Sequence, residues 1–362
     1  SKKVDNVFIS SLFDSPLYGG AEIFTVRKLL SKLITLEIFD LGFTIIFRII
    51  FIFYGLHFSE AQELFIHNES ASNIPKGVLG IRLFGNSFNE ISVRRNMFAL
   101  RWMYGVTPKL SLYLSTSFSN HHGAKLPDDL ITHKHIGSQT IYYPQQSQKG
   151  ITYPLRLNGF HLYAKYRFLT FDDANEHLRV AVFGQWSNVS NAHDEAEPNL
   201  LDDTRGFGGG LIATYLKKKF AVSMTTGFTI PGEYSEDKPL FSGSNSTINT
   251  TIEYGRSIEY NLSFGYLLYP KKYSNYEQAN WNIYLEFNGK SYETAIVSQD
   301  GSDLEVQTNG LDKGHYIEIY PGIQKVISSN LRIDLSVGTN ILNTSYARLY
   351  PIIMVSIQRY FY

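Results

Sequence analysis

The chain has 362 residues and no net formal charge, with 33 Lys and Arg against 33 Asp and Glu, so it lacks the basic footprint that a nucleic-acid partner needs. It contains no cysteine, which removes disulfides, thiolate metal sites and cysteine nucleophiles. With 25 Tyr, 25 Phe, 18% charged residues and a mean hydropathy of −0.15, it reads as a β-rich chain of alternating apolar and polar residues, not as a bundle of apolar helices.

The first element is "FTIIFRIIFIFYGLHF", Phe43 to Phe58, interrupted by Arg48 and followed by "SEAQE". A positive residue, an apolar run from Ile49 to Phe58, and the small residues Ser59 and Ala61 two apart describe a secretory signal cleaved near Ala61/Gln62. The run is short for a spanning helix. Residues 1–61 are therefore expected to be a leader, with 1–42 an upstream extension of that signal. Residues 62–362 form the folded body.

From Val78 onward, segments of about ten residues alternate with period two. In "LNGFHLYAKYRF", Phe160, Leu162, Ala164, Tyr166 and Phe168 share one face, and His161, Tyr163, Lys165 and Arg167 the other. "IEYNLSFGYLLY", "WNIYLEFN" and "LRIDLSVG" repeat the pattern. The spacing predicts twelve strands: 78–85, 95–106, 109–119, 158–169, 177–188, 206–217, 219–229, 257–269, 280–290, 314–326, 330–339 and 349–362. The sixth, "GFGGGLIATYL", has an ambiguous facing.

Short connections follow even-numbered strands. Long ones follow odd-numbered strands, at 120–157, 189–205, 230–256 and 291–313, with shorter loops at 86–94 and 340–348. An even strand count with this alternation predicts an all-β fold, a closed antiparallel transmembrane β-barrel of about 12 strands with both termini at the short-turn, periplasmic side. A soluble sandwich would show no such alternation. In lipid the sheet must close, because no edge can be left unpaired. The last strand ends "QRYFY"; Ile353, Val355, Ile357 and Phe361 are expected to face lipid. Aromatic girdles are expected at Tyr104, Phe168, Tyr266, Trp281 and Phe361 near one rim and at Trp186, Phe160 and Tyr260 near the other.

On these segments the chain resembles outer-membrane barrels of Gram-negative bacteria. "NESASNIPKGVLGIRL", "LYAKYRFLTFDDANEHLRVAVFGQW" and "LSFGYLLYPKKYSNYEQANWNIYLEF" resemble an uncharacterised barrel family of Bacteroidota. The "YGVTPKLSL" hairpin is similar to outer-membrane transporters of the phenol meta-pathway type. Neither resemblance carries functional residues onto this chain.

The inward faces hold the cations Arg82, Arg101, Lys165, Arg167, Arg179 and Arg332 and the anions Glu259, Glu286, Glu318 and Asp334. The cations lie mostly on strands one to five and the anions on strands eight to eleven. Two opposed arcs imply a transverse field across a water-filled pore for polar or zwitterionic solutes; cross-lumen ion pairs filling a narrow interior are the alternative. The loop 120–157, folded inward as a constriction or outward as a receptor, is a second selectivity element.

That loop also holds His121, His122, His133 and His135 with Asp128 and Asp129, residue types that bind metals, but their spacing fits no tight motif and a solvated loop is the expectation. The acidic "NAHDEAEPNLLDD" (191–203) is likewise expected to be solvated. "TRGFGGGLIA" lacks the setting of a phosphate cradle, and no local Ser/His constellation marks a hydrolase. The sequence thus reads as a monomeric, passive channel in the outer membrane, with lipid and small solutes as partners, no cofactor and no catalysis. The alternative is a non-transporting envelope barrel with a closed lumen.

Overall fold

A computed structural model describes residues 65–123, 125–126, 133–136, 139–142, 149–239, 244–272, 279–304, 309–328 and 330–362. The expected leader lies outside these residues, as do Asp128 and Asp129. In chain order the strands are β1 (Leu79–Glu90), β2 (Val93–Thr107), β3 (Leu110–Ser119), β4 (His133–Ile136), β5 (Gln139–Tyr142), β6 (Arg156–Asp173), β7 (Glu176–Ser187), β8 (Gly206–Lys217) and β9 (Phe220–Pro231). There follow β10 (Tyr234–Pro239), β11 (Thr247–Glu253), β12 (Ser257–Tyr269), β13 (Asn280–Tyr292), β14 (Ile296–Gln299), β15 (Ser302–Leu304), β16 (Gly314–Ile327), β17 (Leu331–Asn343) and β18 (Ile352–Phe361).

Twelve of them close into one antiparallel barrel in the order β1-β18-β17-β16-β13-β12-β9-β8-β7-β6-β3-β2. β1 meets β18 from Leu79 opposite Phe361 to Ser87 opposite Ile353, so the sheet has no free edge. The period-two pattern sets the facing. Leu162, Tyr166, Leu262, Ile283, Leu285, Leu335 and Val355 are exposed on the outer surface, while Lys165, Ser263, Glu286, Asp334 and Ser356, from the alternate positions, are buried inside. An apolar belt around a closed hoop is stable only against hydrocarbon, because in water its burial energy, about 25 cal/mol per Å², would be forgone.

The ambiguous Gly-rich strand resolves with Phe207 and Leu211 outward and Ile212 and Thr214 inward. A Cβ at Gly210 would stand 2.8 Å from the Phe183 ring and 2.1 Å from the Thr226 carbonyl. The missing side chain lets Phe183 lie against the inner wall, where it stacks on Tyr163.

Three expectations need correction. The loop expected at 86–94 is a two-residue turn, since pairing continues to Glu90 opposite Val93. Polar residues beyond the lipid belt pair their backbones as well as apolar ones do, so the strand outlasts the apolar alternation used to find it. The connections expected at 230–256 and 291–313 also carry strands, and β10, β11, β14 and β15 form a four-stranded sheet at the long-loop end. Finally, the acidic loop after β7 is not solvated: Ala192, His193, Asp194, Glu195, Ala196 and Glu197 are all buried. Ala192 and Ala196 pack with Ile252, Tyr254, Tyr292 and Val297 in an apolar core beneath that sheet. The fold supplies this loop with partners that its composition could not reveal.

Candidate functional site

Among the described residues, two segments of the chain itself lie in the lumen. The first is the stretch 65–78 that leads into β1. Its backbone is irregular, and such backbone survives in a barrel only if the wall supplies its hydrogen bonds. Glu286 accepts from the amides of Ile66 (2.9 Å), His67 (3.0 Å) and Asn68 (3.0 Å). Arg332 donates to the Phe65 carbonyl at 3.1 Å and Arg82 to that of Ile66 at 2.5 Å. Lys165 donates to Ser70 O at 2.7 Å, and the amides of Ala71 and Ile74 donate to Thr214 (2.8 Å) and Ser111 (3.0 Å). Apolar anchors hold both ends. Phe65 packs edge-on to Tyr284 at 5.7 Å, and Ile74 joins Met103, Tyr113 and Tyr360. Gly105 is required at the exit, where a Cβ would lie 2.0 Å from the Pro75 carbonyl oxygen.

This segment changes the reading of the charged arcs. Part of each arc faces this segment instead of the other arc. The acidic arc meets the segment through Glu286, and the basic arc meets it through Glu69, which takes Arg101 at 2.8 Å and Lys165 at 3.4 Å. Arg179 reaches Ser72 at 3.0 Å and Asp172 at 3.1 Å. Arg82 and Arg332 converge on buried Asp334, at 3.6 and 2.9 Å. Arg167 turns to the Pro108 carbonyl at the short-turn end. The sequence missed Glu69 because an irregular segment has no periodicity to read.

The second segment is the acidic loop after β7. Glu197 at its tip accepts from Tyr316 at 2.9 Å and pairs with Arg348 and, at 3.5 Å, with Lys290. Lys290 also meets Glu259 at 3.2 Å and donates to the Pro198 carbonyl at 2.9 Å. Burial alone pushes the Glu197 carboxyl up; Arg348 and Lys290 outweigh it and hold the group below its ordinary range. Glu195 has no such cation in contact among the described residues, and burial pushes it up to about 8. Glu318 accepts from Tyr320 and Tyr350, each at 2.8 Å. Lys290 was legible in principle, since it shares the inward face of β13 with Glu286 and Asn288. Glu197 and Arg348 lie on loops and were not.

Between the two segments is a chamber of about 340 Å³, bounded by His67 and Asn68 on one side and Asn199 and Leu201 on the other. Arg101, Glu259, Lys290, Glu318 and Arg348 line its wall. It is polar, holds both signs of charge, and has the volume of a small solute. Loop 120–157, expected inward as a constriction or outward as a receptor, contributes Leu126 to the apolar core at the loop end and the β4–β5 hairpin; among the described residues it is the loop after β7 that reaches the lumen. His121 and His122 lie at the mouth, near Asp202 and Asp203 of that same loop. His133 and His135 fall in β4, and their side chains lie outside the described residues.

Of the aromatics expected at the lipid interfaces, Tyr104, Phe168, Trp186, Tyr266 and Trp281 are exposed on the outer surface. Phe361 is partly covered by Arg359, whose guanidinium lies 5.4 Å from its ring. Tyr360, its neighbour, points inward and belongs to the cluster that holds Ile74.

No family model matches the chain, and no curated protein matches it in sequence. Among solved structures it is similar to an outer-membrane channel from Pseudomonas putida F1, with a TM-score of 0.50 at 14% identity over 82% of this chain and 100% of that one. Lower scores relate it to the β domain of the Bordetella autotransporter BrkA (0.37, 10% identity, 79% of this chain and 100% of that one). They also relate it to the toluene transporter TbuX of Ralstonia pickettii (0.35, 11% identity, 80% and 90%). What this chain shares with the Pseudomonas putida F1 channel is its fold: the chain is a closed, twelve-stranded antiparallel transmembrane β-barrel of the kind found in outer membranes.

Proposed function

We propose that this chain is an outer-membrane transport barrel for small polar or zwitterionic solutes, with a lumen gated by its own segment 65–78. One observation carries the reading. Much of the charged wall is satisfied by an irregular strip of backbone and by a loop tip, and a polar chamber of about 340 Å³ lies between them. A barrel whose interior served stability alone would pair its wall charges with one another and fill the space with side chains. Here Glu286, Lys165 and Arg101 direct hydrogen bonds to a segment outside the sheet, and on this reading that segment leaves when the pore opens. The exposed wall would then present a basic arc and an acidic arc to a passing solute.

On this reading the barrel acts as a monomer. The short turns and both termini are periplasmic, residues 1–61 are a leader removed near Gln62, and the resemblance to a Bacteroidota barrel family supports a Gram-negative envelope as its setting. A closed, non-transporting barrel is the second reading, supported by the same occupied lumen. Planar-bilayer recording separates the two. The refolded protein is expected to be silent or to open in brief events, and Glu286→Ala is expected to give sustained openings. Charge reversal at Arg101 is then expected to shift ion selectivity. A Glu286→Ala barrel that folds, releases its segment and still conducts nothing would leave the structural role standing instead.

A further inference from the structure

At the loop-end mouth of the barrel, two buried imidazoles face one carboxylate. His122 lies just beyond β3 and His193 in the acidic loop; they are 6% and 0% exposed. The Nε2 of each has no hydrogen-bond partner among the described residues. For His193 the tautomer is settled by chemistry. Its Nδ1 lies 3.0 Å from the Asn191 carbonyl, which can only accept, so Nδ1 carries the hydrogen and a neutral ring leaves a bare lone pair on Nε2. That lone pair looks toward Asp203 Oδ1 at 3.9 Å, and His122 Nε2 stands 3.4 Å from Asp203 Oδ2. With His122 as its Nδ1–H tautomer, its Nε2, that of His193 and the Asp203 carboxylate are acceptors facing one another in a buried pocket, and they repel unless a cation lies between them.

Beside them is a further pair. His121 Nδ1 is 3.0 Å from Asp202 Oδ2, and ligand atoms of His121, His122 and Asp202 all lie within 4.8 Å of one another. We propose that this cluster is a binding site for a divalent metal of the zinc class, with His122 Nε2, His193 Nε2 and Asp203 as its core ligands and the His121–Asp202 pair supplying the next donor.

The geometry suits the assignment. Nitrogen and oxygen donors bind zinc at about 2.0–2.2 Å, so two donors of a tetrahedral site stand roughly 3.4 Å apart. His122 Nε2 already stands at that distance from Asp203 Oδ2, whereas His193 Nε2 is 3.9 Å from the other oxygen, Oδ1, so the carboxylate must offer both oxygens to the ion or turn one toward both rings. Imidazole with carboxylate selects zinc, copper or nickel over calcium. The outer shell is built as well. His193 is oriented by the Asn191 carbonyl and stacks on Tyr254 at 3.8 Å, and Asp203 Oδ1 accepts from the Asn199 amide at 2.9 Å. Asp202 accepts from Asn158 at 3.0 Å. A metal here would join the end of β3 to the loop that roofs the luminal chamber, and so clamp that loop in place.

The experiment uses the intact, chelator-stripped barrel in detergent, titrated with zinc chloride and followed by calorimetry. One zinc per chain is expected. Loss of an outer-shell partner typically costs about 10–100-fold in affinity, so His122→Ala and His193→Ala should each weaken binding by more than about 100-fold. His177→Ala, at the start of β7 at the other end, should leave it unchanged. Absence of stoichiometric uptake by the wild type, or uptake that survives both substitutions, overturns the site. If either variant fails to fold, cobalt(II) added to the wild type decides: strong visible absorption from a tetrahedral, nitrogen-ligated ion supports the site, and the weak spectrum of the hydrated ion refutes it. Neither readout depends on conductance, so this inference and the channel reading fail separately.

Discussion

The docking of segment 65–78 can be measured, because the chain has no cysteine of its own and a single one becomes a clean reporter. Ser70 is 2% exposed, its carbonyl is held by Lys165, and Ser70→Cys changes one atom. In that background Glu286→Ala removes a buried carboxylate that accepts three backbone amides at 2.9–3.0 Å and the Ser263 hydroxyl at 3.0 Å. A hydrogen bond to a charged group is worth about 1.5–3 kcal/mol, and an orphaned buried donor costs about 1–3 kcal/mol. Water can follow the segment into the vacated space, so a net loss near the low end, about 3 kcal/mol, is the reasonable figure. At about 1.4 kcal/mol per tenfold, the undocked population rises roughly 150-fold. The rate at which a small water-soluble maleimide labels the introduced thiol should rise by a similar factor, while Glu286→Gln, which keeps one acceptor, falls between. Heat-modifiable electrophoretic mobility confirms that the barrel itself is intact. Unchanged labelling in a folded Glu286→Ala barrel would refute the claim that this carboxylate holds the segment.

Asp334→Ala takes the shared carboxylate from Arg82 and Arg332 in a buried setting and should cost about 3–5 kcal/mol of barrel stability, read by urea unfolding in lipid. Val182 lies mid-strand on the lipid face, 41% exposed, and Val182→Arg should cost about 2–4 kcal/mol in the same assay; a neutral result would contradict the assigned facing. Asp172, at the β6–β7 turn, is pushed up by partial desolvation, but the hydrogen bonds from Arg179 and His177 outweigh this and hold its carboxyl below the ordinary value. A depressed carboxyl stabilises the fold at neutral pH and loses that contribution only as pH falls through its lowered pKa. An NMR titration of Asp172 should therefore find a midpoint below that of a free aspartate, moving up in Arg179→Ala.

The strands and their facing were legible from residue order because lipid and lumen impose opposite demands on successive side chains. Leu285 beside Glu286, or Ile333 between Arg332 and Asp334, can satisfy those demands in only one orientation. Strand count and the alternation of connections followed, since turns of two residues such as Ala174–Asn175 leave little freedom. The terminal aromatics were half read: Tyr360 serves the lumen, and its partners Ile74 and Met103 lie more than 250 positions away.

What occupies the lumen was decided by tertiary structure alone. Segment 65–78 has no period, and its hold comes from Glu286, Lys165 and Thr214 on three separate strands. The acidic loop looks like solvated chain until Lys290 and Arg348 reach it from elsewhere in the barrel. The histidines show the limit most clearly. Four in one loop were read as solvated chain, yet among the described residues the fold gathers His121 and His122 with His193, Asp202 and Asp203 from a loop some 70 residues downstream. Alternation is a local consequence of strand geometry, whereas pairing across an enclosed space depends on which chain segments the closed barrel brings together.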